Sequence, residues 1–328
     1  MKKIWGKHPG PAARRSRRTI ACSWLLLATP LAHAEGFVDT IVRRFAQSDF
    51  EFLRGQTNAP FLPLAWLNVT GYEEGEFTRP NGEATSVTFR QTTLSQGAFL
   101  PVPVGKRNAF VIGEWVDWTD FEVCSATIPD FDVLSFSVPV GWISQPAPSW
   151  QVAAFVSPLG HQSSRESDWY WETLGGVFAR YTSNDNTAWI FGAYFDVSPL
   201  EDFYTPYLGA TFIVNEQWSI NAVMPWPSVT YAPSKDTLFR LGVAPSGSSW
   251  SVDGDVQRPR IALAAWNFGL GMERRLFGSF WLGFEVGVSG LRGLSLVGGD
   301  WQDVDTRLDN TGFAWLTFNF RPEQVPQR

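Results

Sequence analysis

The sequence is poor in the residues that most protein chemistry requires. It holds two cysteines and three histidines in 328 residues. One of those cysteines and two of those histidines fall within the first 34 positions, leaving Cys124 and His161 beyond them. One thiol closes no intramolecular disulfide, and one His with one Cys completes no zinc set. Beyond the N-terminus no apolar run reaches the roughly 20 residues that a membrane-crossing helix needs. Gly-rich pieces such as Gly287-Val288-Ser289-Gly290 lie in strand-like runs and none opens a helix, so a phosphate cradle is excluded. Asp185 with Asp196, or Asp300, Asp303 and Asp305, are acidic enough for a surface Ca²⁺, but solvated loop charge accounts for them more simply. No cofactor and no metal is therefore expected, and no catalytic, cofactor-binding or metal residue is assigned.

Basic residues are also in deficit once an export signal is recognised. Lys2, Lys3, Lys7, Arg14, Arg15, Arg17 and Arg18 precede a short apolar core from Ile20 to Leu31, and Ala32-His33-Ala34 fits a small-x-small cleavage site. Ser16-Arg17-Arg18 resembles part of a twin-arginine signal, but added positive charge ahead of the core is the simpler reading. Cleavage before Glu35 removes seven of 26 basic residues and none of 32 acidic ones, which gives a formal charge of −13. Nucleic acid is a poor partner for such a chain.

What the sequence has in abundance is alternation. In the segment FWLGFEVGVS, residues 280–289, Phe280, Leu282, Phe284, Val286 and Val288 alternate with Trp281, Gly283, Glu285, Gly287 and Ser289. Successive side chains of a strand point to opposite faces, so one face is wholly apolar. The same pattern recurs in Leu134–Trp142, Trp150–Val156, Trp189–Val197, Leu208–Val214, Trp218–Trp226, Trp266–Met272 and Ala314–Phe320. Short turns and longer polar stretches separate the runs, as in an antiparallel meander.

A soluble sandwich also alternates, but its outer face is rich in Lys, Glu and Thr. Here the minor face carries Gly, Ser and Asn with sparse charge. Trp150, Trp169, Trp171, Trp189, Trp218 and Trp226 stand near run ends, as an aromatic girdle does. A carboxylate at Glu285 is costly in lipid, which turns its face inward. The expected fold is therefore all-β: a closed antiparallel transmembrane β-barrel in the cell outer membrane, contacting outer-membrane lipid. About thirteen candidate strands are countable, the first near Phe61–Tyr72, and an even number is required. About twelve is expected, with ten to fourteen open. Val87–Trp118 alternates less cleanly, because Glu114 shares a face with Phe110 and Ile112.

Before the barrel, Phe37, Val38, Ile41, Val42 and Phe45 form one helical stripe. This short N-terminal helix would plug the lumen, rest on the periplasmic face, or belong to a mobile leader. The expected boundaries are a signal peptide over 1–34, a periplasmic leader over 35–60, a barrel over 61–321 and a C-terminal tail over 322–328.

Within Pro206–Val252, the pieces Tyr207-Leu208-Gly209-Ala210, Trp218, Pro225-Trp226-Pro227, Tyr231 and Gly247-Ser248-Ser249-Trp250 resemble an uncharacterised family of predicted Gram-negative outer-membrane β-barrel proteins, a domain of unknown function. The resemblance implies fold and location and assigns no chemistry. The end of the chain resembles the assembly signal of barrel proteins, with Leu316, Phe318 and Phe320 alternating. That implies the barrel assembly machinery as a partner through the last strand, although eight residues follow the final aromatic.

His161-Gln162-Ser163 resembles the His-x-Ser pair of outer-membrane phospholipases and lipid A deacylases. Residues i and i+2 share a strand face, so the imidazole reaches the hydroxyl, and Glu166 or Glu172 would orient it. Against this, Ser164-Arg165 replaces the Asn-Gly that follows the phospholipase serine, and the stretch reads as a loop. The favoured function is a non-enzymatic outer-membrane barrel: a narrow channel, a small-solute transporter or a structural envelope protein. The alternatives are a lipid esterase or deacylase using His161 and Ser163, and a soluble exported β protein with a binding cleft.

Overall fold

A computed structural model describes residues 56–77, 87–124, 130–164, 168–198, 202–251, 260–298, 301–307 and 309–322, together with Phe45, Ser48 and Phe50. The chain divides into two compact units, Met1–Asp39 and Thr40–Arg328, and every described residue belongs to the second. The expected signal peptide and the helical stripe, apart from Phe45, lie outside the described residues.

Seventeen strand segments form one antiparallel sheet. Three pairs of consecutive segments pair with the same neighbouring strand and count as single wall strands interrupted by a bulge or break. The wall strands are β1 (Ala65–Tyr72 with Gly75–Phe77), β2 (Val87–Pro103), β3 (Asn108–Cys124), β4 (Phe131–Ser137 with Val140–Ala147), β5 (Trp150–Ser163), β6 (Tyr170–Asn184), β7 (Thr187–Val197), β8 (Asp202–Ile213), β9 (Trp218–Met224), β10 (Ser228–Ser234), β11 (Thr237–Ser251), β12 (Arg260–Phe277), β13 (Phe280–Gly298) and β14 (Trp301–Arg307 with Thr311–Phe320). Each pairs with the next, and β14 returns to β1 with Phe320 opposite Ala65 and Phe313 opposite Tyr72. The barrel is closed with 14 strands, not the twelve expected. The shortfall lies between Trp226 and Trp266. The short, proline-bearing β10 and the Gly/Ser-rich upper β11 lack the sustained apolar alternation of segments such as Phe280–Ser289.

The face assignment holds at the segment that suggested it. Phe284 is 52% exposed on the outside, while Trp281 and Ser289 point inward at 3% and 0%. Glu285 also points inward, where it pairs with Arg240 at 3.5 Å. Leu134, Phe136, Val140, Val156, Leu208, Leu241, Leu270 and Leu316 extend the same apolar exterior around the wall. A closed sheet with an apolar outer belt is the strand solution to crossing a bilayer, and this is an outer-membrane barrel.

Tight turns and the two ends of the barrel, Ala65 and Phe320, share one rim, which is the periplasmic one. Gly278 takes a positive φ of 47° in the tight turn between β12 and β13. Trp150 packs on Tyr181 at 5.0 Å and Trp218 stacks on Tyr231 at 4.5 Å, both close to this rim. Trp169 and Trp171 lie exposed toward the other rim. Trp226 departs from the expected girdle: its ring turns inward onto Tyr207 at 4.9 Å. Pro225 and Pro227 flank it and end the alternation of β9, so its parity no longer predicts its face.

Glu114 is the exception on the outside. It does share the outer face with the exposed Phe110 and Ile112, and the amide of Gln96 on β2 donates to its carboxylate at 3.4 Å. The neighbouring hydrogen-bond donor offsets part of the cost of a carboxyl group in the belt.

Phe284→Arg is expected to destabilise the barrel in phospholipid bilayers by about 2–4 kcal/mol. Val104→Arg in the periplasmic turn should cost no more than about 0.5 kcal/mol. Urea midpoints followed by heat-modifiable gel migration measure both; equal effects would contradict the placement of the belt.

Candidate functional site: the barrel lumen

Strands in a closed barrel tilt, so a line drawn along the hydrogen-bond direction climbs around the wall. One such line is polar along most of its inward-facing length. It starts at Leu238 and Glu273 near the periplasmic rim, passes Gly283, Thr317, Asn68, Ser95, Asp117 and Ser135, and reaches His161 near the extracellular end of β5. Strand parity in the closed barrel places each of these residues inside, and the register joins them.

At the upper end of the line the imidazole of His161 is 3% exposed. Its Nδ1 lies 2.7 Å from the Ser135 hydroxyl and its Nε2 lies 3.0 Å from Glu172 Oε1. Both partners are buried. Asp117 accepts from the Ser95 hydroxyl and, at 2.7 Å, from the Trp115 indole N–H. His161 and Ser163 therefore lie on a strand and not in a loop, and both face the lumen. The two ring nitrogens are engaged by Ser135 and Glu172, however, so Ser163 is not the hydroxyl aligned with the imidazole. Glu172 is one of the two expected orienting groups; Glu166 lies outside the described residues. Ser135 went unnoticed in sequence because it stands 26 residues from His161 and only the β4–β5 register brings the two together.

Hydroxyl, imidazole and carboxylate stand in the order of a hydrolytic triad. The three face the lumen, however, and not the acyl chains outside, where a membrane phospholipid would lie. Asp185 and Asp196, considered together above, sit beyond opposite ends of β7 or at them, Asp185 in the periplasmic turn and Asp196 inward near the top. Among the described residues no three of His, Cys, Asp and Glu stand close enough to share a metal ion.

The periplasmic mouth is crossed by the segment preceding β1. The Asn58 N–H donates to the Glu216 carbonyl at 2.7 Å and its side-chain amide donates to the Ala232 carbonyl at 3.3 Å. Ala59 packs on the inward-facing Ala232 and Leu238. From the other side, Arg321 donates to the Phe61 carbonyl at 2.6 Å. The same guanidinium grips Glu273 through both carboxylate oxygens, at 2.8 and 2.6 Å, and Asn319 adds a third donor at 2.9 Å. Arg321, the first of the eight residues after the final aromatic, is a buried latch that joins β14, β12 and the incoming chain.

The lumen is not polar throughout. On β5 to β8 the inward residues include Phe155, Phe178, Tyr194 and Tyr207, which with Trp226 form a run of neighbouring rings. A Cβ at Gly176 would stand 2.7 Å from the Phe178 ring, so glycine there leaves room for it.

No family model matches the sequence, and no curated protein matches it. The resemblance of Pro206–Val252 to an uncharacterised barrel family is thus carried no further than the fold. Among solved structures the chain is similar to the COG4313 outer membrane channel from Pseudomonas putida F1, at 10% identity and a TM-score of 0.43, over 79% of this chain and 97% of that one. It is similar to a Pseudomonas aeruginosa FadL homologue at 11% identity and a TM-score of 0.44, over 80% and 90%. The translocator domain of autotransporter NalP from Neisseria meningitidis aligns at 11% identity and a TM-score of 0.37, over 91% and 99%.

Arg321→Ala leaves the partly buried Glu273 without its bidentate partner, a loss of charge-assisted hydrogen bonds that costs about 1.5–3 kcal/mol. A lowered urea midpoint in refolded protein is the expected result, with Arg321→Lys intermediate. An unchanged midpoint would mean that the latch is not what secures the end of the barrel.

Proposed function

We propose that the protein is a narrow outer-membrane channel or transporter for a small solute. The observation that carries this reading is the polar line from Glu273 to His161, which runs along the inside from near one rim to near the other. A wall built only for strength has little need of a polar line of this length, because buried ion pairs contribute no more to stability than well-packed apolar side chains. The segment 56–61 across the periplasmic mouth supplies the narrow point. Asp117 on the line, with Glu172 and Asp196 nearby on the inner face, favours cations over anions, whereas Glu273 and Glu285 are offset by Arg321 and Arg240. Assembly through the last strand is part of the same reading.

The Ser135–His161–Glu172 chain supports a second reading, ester hydrolysis within the lumen on a substrate small enough to enter it. Loss of hydrolysis of a short-chain ester in both Ser135→Ala and His161→Ala would support it; activity surviving both would remove it.

For the channel, purified protein in planar bilayers should conduct, with a reversal potential in a KCl gradient that favours K⁺. Removal of residues 35–60 should raise the conductance several-fold, and Asp117→Asn should reduce the cation preference. Absence of conductance in both full-length and shortened protein would overturn the reading in favour of a structural envelope protein.

A further inference from the structure

The wall is low in one place. Strands β9 and β10 end at Met224 and begin at Ser228, whereas their neighbours β8 and β11 run on to Asp202 and Ser251. The β8–β9 ladder stops at Leu208 opposite Met224. The β10–β11 ladder stops at Ser228 opposite Gly242, with one further bond from the Val243 N–H to the Pro227 carbonyl at 2.9 Å. Above these points no strand among the described residues pairs with the facing edges of β8 and β11. Leu208 and Leu241, 66% and 60% exposed, flank the sill on the outside, so the gap opens from the apolar belt.

An open edge in lipid strands backbone amides, which is costly. The direction of each amide follows from the bonds present, because neighbouring residues of a strand point to opposite sides. The Ile213 N–H donates toward β7, to the Asn186 carbonyl. Odd residues of β8 therefore point to β7 and even ones to the gap. The first even residue above Leu208 is Pro206. On the other lip the Val243 N–H points to β10, so odd residues of β11 face the gap, and the first above Val243 is Pro245. Each lip thus begins with the one residue that has no amide hydrogen to strand. The sill between them is Met224-Pro225-Trp226-Pro227, and the Asn221 side chain holds the Trp226 carbonyl from inside at 3.0 Å. Prolines at the first open position of both lips, with a fixed sill, mark a gap that the sequence maintains.

Directly behind the sill lies the aromatic side of the lumen. Trp226 packs on Tyr207 at 4.9 Å, and Tyr207 meets the edge of Phe178 at 4.6 Å. Phe178 stacks with Phe155 at 6.0 Å, and all of these rings are half-buried, leaving part of each available. Cα atoms of β11 approach within 8 Å of β5 across the barrel, which narrows the lumen.

We infer that the gap between β8 and β11 is a lateral portal, through which a small, flat, uncharged aromatic molecule passes between the outer leaflet and the ring-lined side of the lumen. Ring faces and edges select flat partners through offset and edge-on contacts. The inference rests on the lumen being a passage, as proposed above, and adds the class of solute and its route.

The probe is tritiated naphthalene, supplied through the lipid of nanodiscs that hold the full mature chain and compared with empty nanodiscs. Saturable retention by the protein is expected. Trp226→Ala combined with Tyr207→Ala should weaken it about tenfold, and Trp226→Phe should preserve it. In a Cys124→Ser background, Pro206→Cys with Pro245→Cys, bridged by a bifunctional thiol reagent, should slow uptake at least about fivefold and leave ionic conductance unchanged. Heat-modifiable migration confirms folding of every variant. No saturable retention, retention unchanged in the double alanine variant, or uptake unaffected by the bridge would each overturn the portal. So would a tightly held acyl lipid that naphthalene fails to displace. Conductance without naphthalene retention removes the portal and spares the channel. Retention without conductance does the reverse and leaves the portal as a route to a binding site.

Discussion

Everything in this structure follows from one constraint: a peptide group in hydrocarbon has no water to bond. Each amide must find a partner within the sheet, so the ladder has to close, and β14 returns to β1 in unbroken register from Ala65 to Tyr72. Closure then fixes the side chains. Once the ladder direction is set, parity alone decides whether a residue meets lipid or lumen. A Cβ at Gly97 would run into the Trp66 ring, and one at Gly269 into Glu285, so glycines on the inner face are the spaces that larger inward residues occupy. The same constraint explains why a break in the ladder carries a signature of its own. Where pairing stops, at Leu208 and at Val243, the next residue aimed at the gap is a proline on both sides.

Inside, the low dielectric makes polar groups expensive unless they are paired. Much of the inner face answers that demand with short local circuits: Arg321 with Glu273 and Asn319, Glu285 with Arg240, Asp117 with Ser95 and Trp115, His161 with Ser135 and Glu172. They lie on a climbing register line or beside it. Because strands tilt, residues distant in sequence become neighbours along that line, and a row of separate pairs becomes a nearly continuous polar surface.

Period-2 alternation was enough to read the faces from sequence, because parity is a local property. Phe284 outside with Glu285 inside, and the outward runs of Leu134–Trp142 and Trp150–Val156, needed nothing more. Properties that depend on register were not legible. Ser135 and His161 are linked by a β4–β5 offset that no local pattern encodes. Parity itself failed at Trp226, where flanking prolines end the strand and the ring swings inward. The strand count fell short because β10, as short as β9 but with Ser228, Thr230, Pro233 and Ser234 among its seven residues, has no sustained apolar face. The crossing of the periplasmic mouth by Asn58 and Ala59 depends on contacts with Glu216, Ala232 and Leu238, more than 150 positions away.

The two sides of the lumen impose different chemistry on anything inside it. The polar line offers hydrogen bonds and negative charge, whereas the rings from Phe155 to Trp226 offer only apolar surface and the ring quadrupole. A strongly hydrated ion gains nothing from the rings, and a bare hydrocarbon gains nothing from Asp117. Their surroundings differ as well. The polar line ends near both rims, next to water. The rings end at Trp226, on the sill of the gap in the wall, next to lipid. Each surface therefore borders the solvent that its own chemistry prefers. The positions of the polar line are set by register and strand tilt, and the position of the gap is set by where β9 and β10 stop. Both trace back to the pairing of backbone amides that closes the barrel.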